Sequence, residues 1–272
     1  MDTHLQKSRL AFRAGRWEPG VRAVPAEVAV ALIYNGTTQA VMMATPEALA
    51  DFGIGFSLTE GIISDISEIL ESEIVKQDQG IEMRMWLAPD ADKRFQARRR
   101  AQVGPVGCGL CGIDSLTEAL RVLPKLAAGS LHLDPVDAEQ AMTGLTRHQT
   151  LNDATRAAHA AGFYLPGTGV VMVREDVGRH NALDKLAGAM ARAALKPADG
   201  VLVITSRVSV DMVQKAAMIG APVLMAASAP TALAIAEAEG AGITLVGVLR
   251  GADFEIFTHP ERFTGAQTAD VA

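Results

Sequence analysis

The only two cysteines of this 272-residue chain, Cys108 and Cys111, stand three apart in the run Gly107-Cys108-Gly109-Leu110-Cys111-Gly112. Two randomly placed residues would fall at that spacing about once in a hundred such chains, so the pair is a signal rather than an accident. The flanking glycines strip away bulk and permit backbone angles closed to other residues. Both sulfurs are therefore expected to be open to another protein or a large ligand. The reactive species is the thiolate, and nearby arginine charge or a helix N-terminus lowers a thiol pKa from about 8.5 toward neutrality. Arg98, Arg99 and Arg100 lie upstream, and a helix is expected to start near Asp114-Ser115. Four readings compete for the pair. It is a pair of small apolar fillers, or half of a zinc site whose second pair of ligands is missing, or a thioredoxin-like redox pair, or a persulfide carrier in which one cysteine bears an extra sulfur and the other assists. The last makes the fullest use of the glycine frame.

A second constellation is the run 174–185, with Arg174, Glu175, Asp176, Arg179, His180, Asn181, Asp184 and Lys185 around an expected strand-to-helix junction. At such a junction the strand's carboxyl end and the helix N-terminus face one crevice, where open α/β sheets bind ligands and free helix N–H groups favour anions. His180 and Asp184 are four apart and share a helix face. A solvated helix start with ordinary capping explains the same spacing equally well. Ser206, Arg207 and Ser209 follow another apolar run in the same way, while Asp211 and Lys215 read as an exposed i,i+4 pair. Val248, Leu249, Arg250, Gly251, Ala252 and Asp253 form a further loop after the last long strand.

The elements that must position these groups divide the chain in two. Residues 1–25 are polar, carry Lys7, Arg9, Arg13, Arg16 and Arg22, and read as a flexible tail or edge strand. Residues 27–34 and 39–44 flank Asn35-Gly36, the pattern of a hairpin. Thr45-Pro46 reads as a cap and first turn for a helix to about 62, and Ile81, Met83, Met85 and Leu87 alternate with polar residues as in a half-buried strand. A smaller strand-rich α+β unit, residues 26–112, is thus expected to end in the cysteine loop. Asp134-Pro135 opens a helix to 147. Apolar runs at 170–173, 201–205, 223–227 and 243–248 then alternate with helical patterns at 178–194, 208–219 and 231–239. That alternation predicts an α/β core, residues 113–272, with a mostly parallel sheet covered on both faces.

Composition sets outer limits. With 49% hydrophobic and 21% charged residues the chain is a folded globular protein. A formal charge of -6 argues against a mainly electrostatic grip on nucleic acid or anionic membrane, and no apolar run approaches the roughly 20 residues of a membrane span. Two cysteines with no export signal fit a reducing cytoplasm.

The run Glu175-Asp-Val-Gly-Arg-His-Asn-Ala-Leu-Asp-Lys185 and the cysteine run resemble the FdhD/NarQ family of formate dehydrogenase accessory sulfurtransferases. So do Ala40-Val-Met-Met-Ala-Thr-Pro46, Leu58-Thr-Glu-Gly-Ile-Ile63, Arg207-Val-Ser, Met212-Val-Gln-Lys215, Ser228-Ala-Pro230 and Leu245-Val-Gly247, so that the likeness runs from about Glu27 to His259. The resemblance implies a sulfurtransferase that takes persulfide sulfur from a cysteine desulfurase on Cys108. It passes that sulfur to the molybdenum bis-molybdopterin guanine dinucleotide cofactor for formate dehydrogenase, with Cys111 as the second thiol. It also implies a cytidine-deaminase-like three-layer core, a homodimer, and a cofactor-binding loop at Val248 to Asp253. Arg179, His180, Asp184, Lys185 and Arg207 are the further candidate ligand contacts. Two departures stand out: Ala252 and Asp253 replace the glycine and basic residue common in that loop, and Thr155-Arg156-Ala157-Ala158-His159 alters the usual turn before a histidine. The rivals are a non-catalytic chaperone of the cofactor and a zinc-dependent deaminase using Cys108, Cys111 and His159. The deaminase signature places a His-x-Glu before its cysteines, whereas here the histidine follows them and Ala161 stands at the glutamate position. No resident metal is expected.

Overall fold

The structure, a computed structural model, describes residues 1–101, 122–127 and 129–266. The cysteine loop and the helix expected near Asp114-Ser115 lie outside the described residues. The chain opens with an antiparallel hairpin, β1 (His4–Arg13) and β2 (Arg16–Pro25), paired from His4↔Pro25 to Arg13↔Arg16. Of the two readings of residues 1–25, the strand is what forms, and the flexible tail is corrected. Its loop, Ala14-Gly15, has both φ angles positive, 48° and 83°, the two-residue geometry that matches strand twist. Alanine where asparagine or aspartate is usual hides this turn in the sequence.

The next unit is a four-stranded sheet of β3 (Val28–Tyr34), β4 (Thr37–Ala44), β5 (Ile69–Gln77) and β6 (Gly80–Leu87), with helices α1 (Leu49–Thr59) and α2 (Pro89–Ala101). The strand order is β4-β3-β6-β5, with β3 and β6 parallel and the other pairs antiparallel. Asn35-Gly36 makes the expected tight turn, with φ of 47° and 78°. One face of the sheet buries Leu32, Tyr34, Met83 and Met85 against Phe52 of α1 and Phe95 of α2. Helix α2 was hidden by its basic residues; Ala91 and Phe95, four apart, are its buried stripe. Thr45 is not the cap of α1, which starts three residues beyond Pro46 with Ala48 at the N-cap. Thr45 is held elsewhere, its backbone N–H donating to Asp176 and its hydroxyl accepting from Val177 N–H.

The α/β core contains α3 (Pro135–Arg147), α4 (Thr150–Thr155), β7 (His159–Leu165), β8 (Gly169–Asp176), α5 (Arg179–Arg192), β9 (Val201–Ile204), α6 (Val210–Ile219), β10 (Val223–Ala226), α7 (Ala232–Ala241), β11 (Thr244–Arg250) and β12 (Asp253–Thr258). Pro135 opens α3 as expected, and Asp134 N–H donates to Asp137 Oδ2 at 2.7 Å to close its first turn. The six strands are ordered β12-β11-β10-β9-β7-β8. The expectation of a mostly parallel sheet is corrected, because only β9, β10 and β11 pair in parallel, and the other three pairings are antiparallel. The connections explain this. Parallel neighbours need crossovers, supplied here by α6 and α7, whereas the tight turns after Leu165 and Arg250 can join only antiparallel strands.

Alternation in the short strands separates two cores. Leu202 and Ile204 face α5, α6 and α7, while Val201 and Val203 face α3, giving three layers. All four are buried. The two units meet where α1 crosses α5. A Cβ on Gly55 would lie 1.6 Å from Asp184 O, and one on Gly188 would lie 1.9 Å from Asp51 O, so the two backbones touch. The boundary expected between residues 112 and 113 lies outside the described residues. No helix among the described residues is long and apolar enough to cross a membrane.

Candidate functional site

Strand β7 runs antiparallel to both β8 and β9, so β8, β9, β10 and β11 all point the same way and end on one rim. The starts of α5, α6 and α7 gather there. At strand spacings of about 4.8 Å the four steps from β8 to β11 give this rim a length of roughly 19 Å. His159 opens β7 directly opposite Asp176, and Thr205 beyond β9 exchanges hydrogen bonds with Ala160. The rim therefore assembles His159, Arg179, His180, Thr205, Arg207 and the 248–253 segment from four different stretches of chain.

Three of its groups are without partners. Arg179 Nε and His180 Nε2 are buried and accept or donate no hydrogen bond among the described residues. Arg207 is exposed, between the end of β9 and the start of α6, and makes no ion pair among the described residues. The N-caps of α5 and α6, Gly178 and Ser209, make no side-chain capping bond, and α5 has no acid in its first turn. Helix α7 differs, since its cap Thr231 accepts from Ala234 N–H. Burial, reinforced by the Arg179 and Lys215 charges, pulls the His180 pKa down to about 4 against the opposing pull of Asp211 and Glu60. His180 Nε2 lies 3.8 Å from Asp211 Oδ2, beyond hydrogen-bond reach. Burial and Arg179 likewise depress His159, with Asp176 opposing. Near neutral pH both imidazoles are uncharged, and the positive charge of the rim comes from arginine.

Two expected ligand contacts are corrected. Lys185 and Asp176 are fully buried, paired at 2.6 Å, and Lys185 Nζ also donates to Thr45 O at 2.9 Å. Asp176 accepts in addition from the backbone N–H groups of Thr45 and Gly178 and from Asn181 Nδ2. Asp184 does not bond His180. It accepts from Thr59 Oγ1 at 2.6 Å and from Lys215 Nζ at 2.9 Å. Lys215 is thus no exposed partner of Asp211. Burial would lower its pKa, but Asp184 and Glu60 outweigh that and hold the ammonium above its ordinary value. Both clusters tie α5 to the first unit; Asp176 stands at the rim end of β8 opposite His159, but its carboxylate is buried and committed to Lys185, as buried Asp184 is to Thr59 and Lys215. The sequence offered no sign of this, since Thr45, Thr59 and Glu60 lie more than a hundred residues from their partners. Arg174 pairs with Asp51 at 2.7 Å. Glu175 accepts from Leu151 and Asn152 N–H groups.

The loop expected at 248–253 is corrected: Val248, Leu249 and Arg250 end β11 and Asp253 opens β12, with only the turn Gly251-Ala252 between them. Val248 has a φ of 55° and Leu249 is buried in the α3-side core. Arg250, Gly251, Ala252 and Asp253 are exposed, with Arg250 opposite Asp253 in register. Among the described residues no three His, Cys, Asp or Glu side chains converge as a metal-binding group.

Comparison with known proteins agrees along nearly the whole chain. The model of the FdhD/NarQ family matches residues 25–264. A protein of Agrobacterium fabrum named sulfur carrier protein FdhD is 54% identical over 260 residues, covering 96% of each chain. A protein of the same name from Bordetella parapertussis is 47% identical over 262 residues, covering 95% of this chain and 94% of its own. Among solved structures, a crystal structure assigned as a candidate formate dehydrogenase accessory protein of Desulfotalea psychrophila superposes with a TM-score of 0.76 at 26% identity. It covers 96% of this chain and all of the other.

Proposed function

The chain belongs to the FdhD/NarQ family, and we propose that it is a sulfur carrier that serves formate dehydrogenase by holding sulfur as a persulfide on Cys108. The observation that carries this reading is the match to sulfur carrier relatives over almost the full length of both chains, with the glycine-framed cysteine pair intact. In the first step the Cys108 thiolate attacks the outer sulfur of a cysteine desulfurase persulfide. The donor's S–S bond breaks, a new one forms on Cys108, and the desulfurase leaves as thiolate, with no net change of oxidation state. Handing the atom on as sulfide takes two electrons, and the Cys111 thiol supplies them by closing a disulfide with Cys108.

The acceptor in this reading is the molybdenum bis-molybdopterin guanine dinucleotide cofactor, an anionic client. The rim fits such a ligand because it presents donors that lack acceptors: the arginines 179 and 207, the neutral His180, and the open starts of α5 and α6. Arg250 and Gly251 extend this surface at the far end, while Asp253 there and Asp211 in the first turn of α6 work against a phosphate. Lys185 and Asp184 have no part in it. We further read the three-layer core as cytidine-deaminase-like, the working form as a homodimer, and the compartment as the reducing cytoplasm that keeps both thiols available. The division into a tail, a unit to residue 112 and a core beyond it becomes, in this reading, a hairpin arm, a positioning unit and a cofactor-binding core.

The test is activation of formate dehydrogenase in cells lacking the carrier. Wild type restores activity and Cys108→Ala does not, while Arg207→Glu makes stable protein that takes up sulfur yet delivers little. Full restoration by Cys108→Ala would remove the persulfide step from the account.

A further inference from the structure

Strand β11 changes the face on which its side chains alternate before it ends. Leu245 packs in the core against α5, α6 and α7, and Val246 faces the α3 side. Gly247 turns back toward α7, since a Cβ there would lie 2.9 Å from Pro230 Cδ and 3.0 Å from the Phe257 ring. Plain alternation would then send Leu249 to the side of α7 and Arg250 to the side of α3. The reverse is found, because Val248 and Leu249 stand against Phe254 alone between the pairs Gly247↔Glu255 and Arg250↔Asp253. This is a β-bulge, and its first residue is Val248 at a φ of 55°, a left-handed position that such bulges usually give to glycine. A β-branched residue held there is strained. Leu249 and Phe254 both pack on the α3 side, so Arg250 and Asp253 turn to the other side, where α6 and α7 begin.

Arg250 and Asp253 are in-register neighbours across a two-residue turn. Their side chains nonetheless make no ion pair or hydrogen bond, with each other or with any other group among the described residues. Their place is tied to the arginine end of the rim. Val208 N–H donates to Ala229 O at 3.3 Å, Thr231 N–H donates to Val208 O at 3.0 Å, and Val248 N–H donates to Ser228 O at 3.3 Å. The segments 207–208, 228–231 and 247–248 thus lie side by side, and Arg207 and Arg250 follow strands two spacings apart, about 10 Å. Asp253 works against a phosphate at this end. Together with Arg250, however, it carries no net charge and suits a neutral group that offers acceptors on one side and donors on the other.

We propose that Arg250 and Asp253 read the base of the bound nucleotide and select guanine. Guanine offers the acceptors O6 and N7 on one edge, which a guanidinium meets with paired donors. Beside them it offers N1–H and the 2-amino group, which a carboxylate meets with paired acceptors. Adenine reverses the pattern at C6 and N1: an amino group would face Arg250 and a ring lone pair would face Asp253. Arg207 beyond β9 and the open starts of α5 and α6 take the phosphates, so base and phosphates occupy separate parts of one crevice. The inference rests on the anionic-cofactor reading of the rim and adds which part of the ligand each end meets. Ala252-Asp253 stands where the resembling family commonly has glycine and a basic residue, so the carboxylate of the pair is this chain's own. The bulge at Val248 is what aims Arg250 into the crevice.

The test is calorimetric titration of the full chain with guanosine, inosine, adenosine and xanthosine diphosphates, for wild type, Asp253→Asn and Arg250→Ala. Both side chains are exposed, and each variant's fold is checked by its urea midpoint. Wild type should bind guanosine diphosphate about tenfold or more tightly than adenosine diphosphate. Inosine diphosphate, which lacks the 2-amino group, should bind about fivefold more weakly than guanosine diphosphate. Asp253→Asn turns an amide donor toward the position of that amino group, so it should weaken guanosine diphosphate and prefer xanthosine diphosphate, whose oxygen at C2 accepts. Arg250→Ala should weaken guanosine and inosine diphosphates alike, by about tenfold. Equal binding of guanosine and adenosine diphosphates by wild type, or an Asp253→Asn protein with the wild-type order of preference, overturns the base assignment. The phosphate reading of the rim then stands if Arg207→Glu weakens every one of these ligands. A wild type that binds none of them overturns the rim reading and the base assignment with it.

Discussion

Replacing Asp176 by asparagine separates the structural from the ligand-binding reading of the acidic and basic run. The carboxylate takes four donors: Lys185 Nζ, Asn181 Nδ2 and the N–H groups of Thr45 and Gly178. Asparagine keeps the shape but leaves a fully buried ammonium without a counter-charge and turns an amide NH₂ toward other donors. Breaking one partner of a buried ion pair costs about 3–5 kcal/mol, a large part of the 5–15 kcal/mol that typically separates folded from unfolded states. With a urea slope of about 2–3 kcal/mol per molar, the unfolding midpoint should fall by roughly 1–2 M at unchanged slope. Removing both charges with Asp176→Leu/Lys185→Met should cost less than the two single changes added together, because no buried charge is then stranded. Arg207→Ala, at an exposed site, should shift stability by less than about 0.5 kcal/mol. An Asp176→Asn protein within 1 kcal/mol of wild type would refute the reasoning and return Lys185 to the list of ligand contacts.

Gly55→Ala places a methyl group 1.6 Å from Asp184 O, so α1 must lift from α5. A loss of about 3 kcal/mol or more is expected in urea unfolding, and a stable Gly55→Ala protein would contradict the backbone contact. Lys215→Met strands Asp184 and should also cost about 3–5 kcal/mol, read as a drop in thermal midpoint. His180 stays neutral in the folded chain down to about pH 4, while the unfolded chain takes up that proton from about pH 6.5. Its contribution is therefore fully present above pH 6.5 and falls as acid carries the pH toward 4, by about 3 kcal/mol in all. His180→Gln should flatten that segment of the urea-midpoint profile, and an unchanged acid limb would show that His180 is not the group responsible. Arg207→Glu should weaken binding of a guanine nucleoside diphosphate, measured by calorimetry, by about tenfold or more. Unaltered binding would move the anion site off this rim.

The parts of the fold that were legible in the sequence are those where local pattern and tertiary environment agree. Val201–Ile204 and Val223–Ala226 read as buried strands because both of their faces are covered, and Asp134-Pro135 reads as a helix start because capping is a local interaction. Asn35-Gly36 likewise announces its turn. What was illegible depended on distant partners or on atypical residues in a standard geometry. Ala14-Gly15 conceals a hairpin, the arginines of α2 conceal a helix held by Ala91 and Phe95, and the apolar run of β7 gives no hint that it reverses the sheet's direction. The rim was legible in part: Arg179, His180 and Arg207 do gather there, since strand ends and helix starts place them by topology alone. Lys185, Asp184 and Lys215 were misread because a charged residue on a helix looks exposed until the element covering it is known. That element, α1 with the segment before it, enters from residues 45–60.

The claim on which the rest depends is that Cys108 carries the sulfur, and peptide mass mapping tests it most directly. The protein is incubated with a cysteine desulfurase and isotope-labelled cysteine, alkylated, digested and read peptide by peptide. The account predicts one labelled sulfur on Cys108 in the wild-type protein and in Cys111→Ser, and none in Cys108→Ala. Label that settles first on Cys111, or that appears in Cys108→Ala at the wild-type rate, would contradict it.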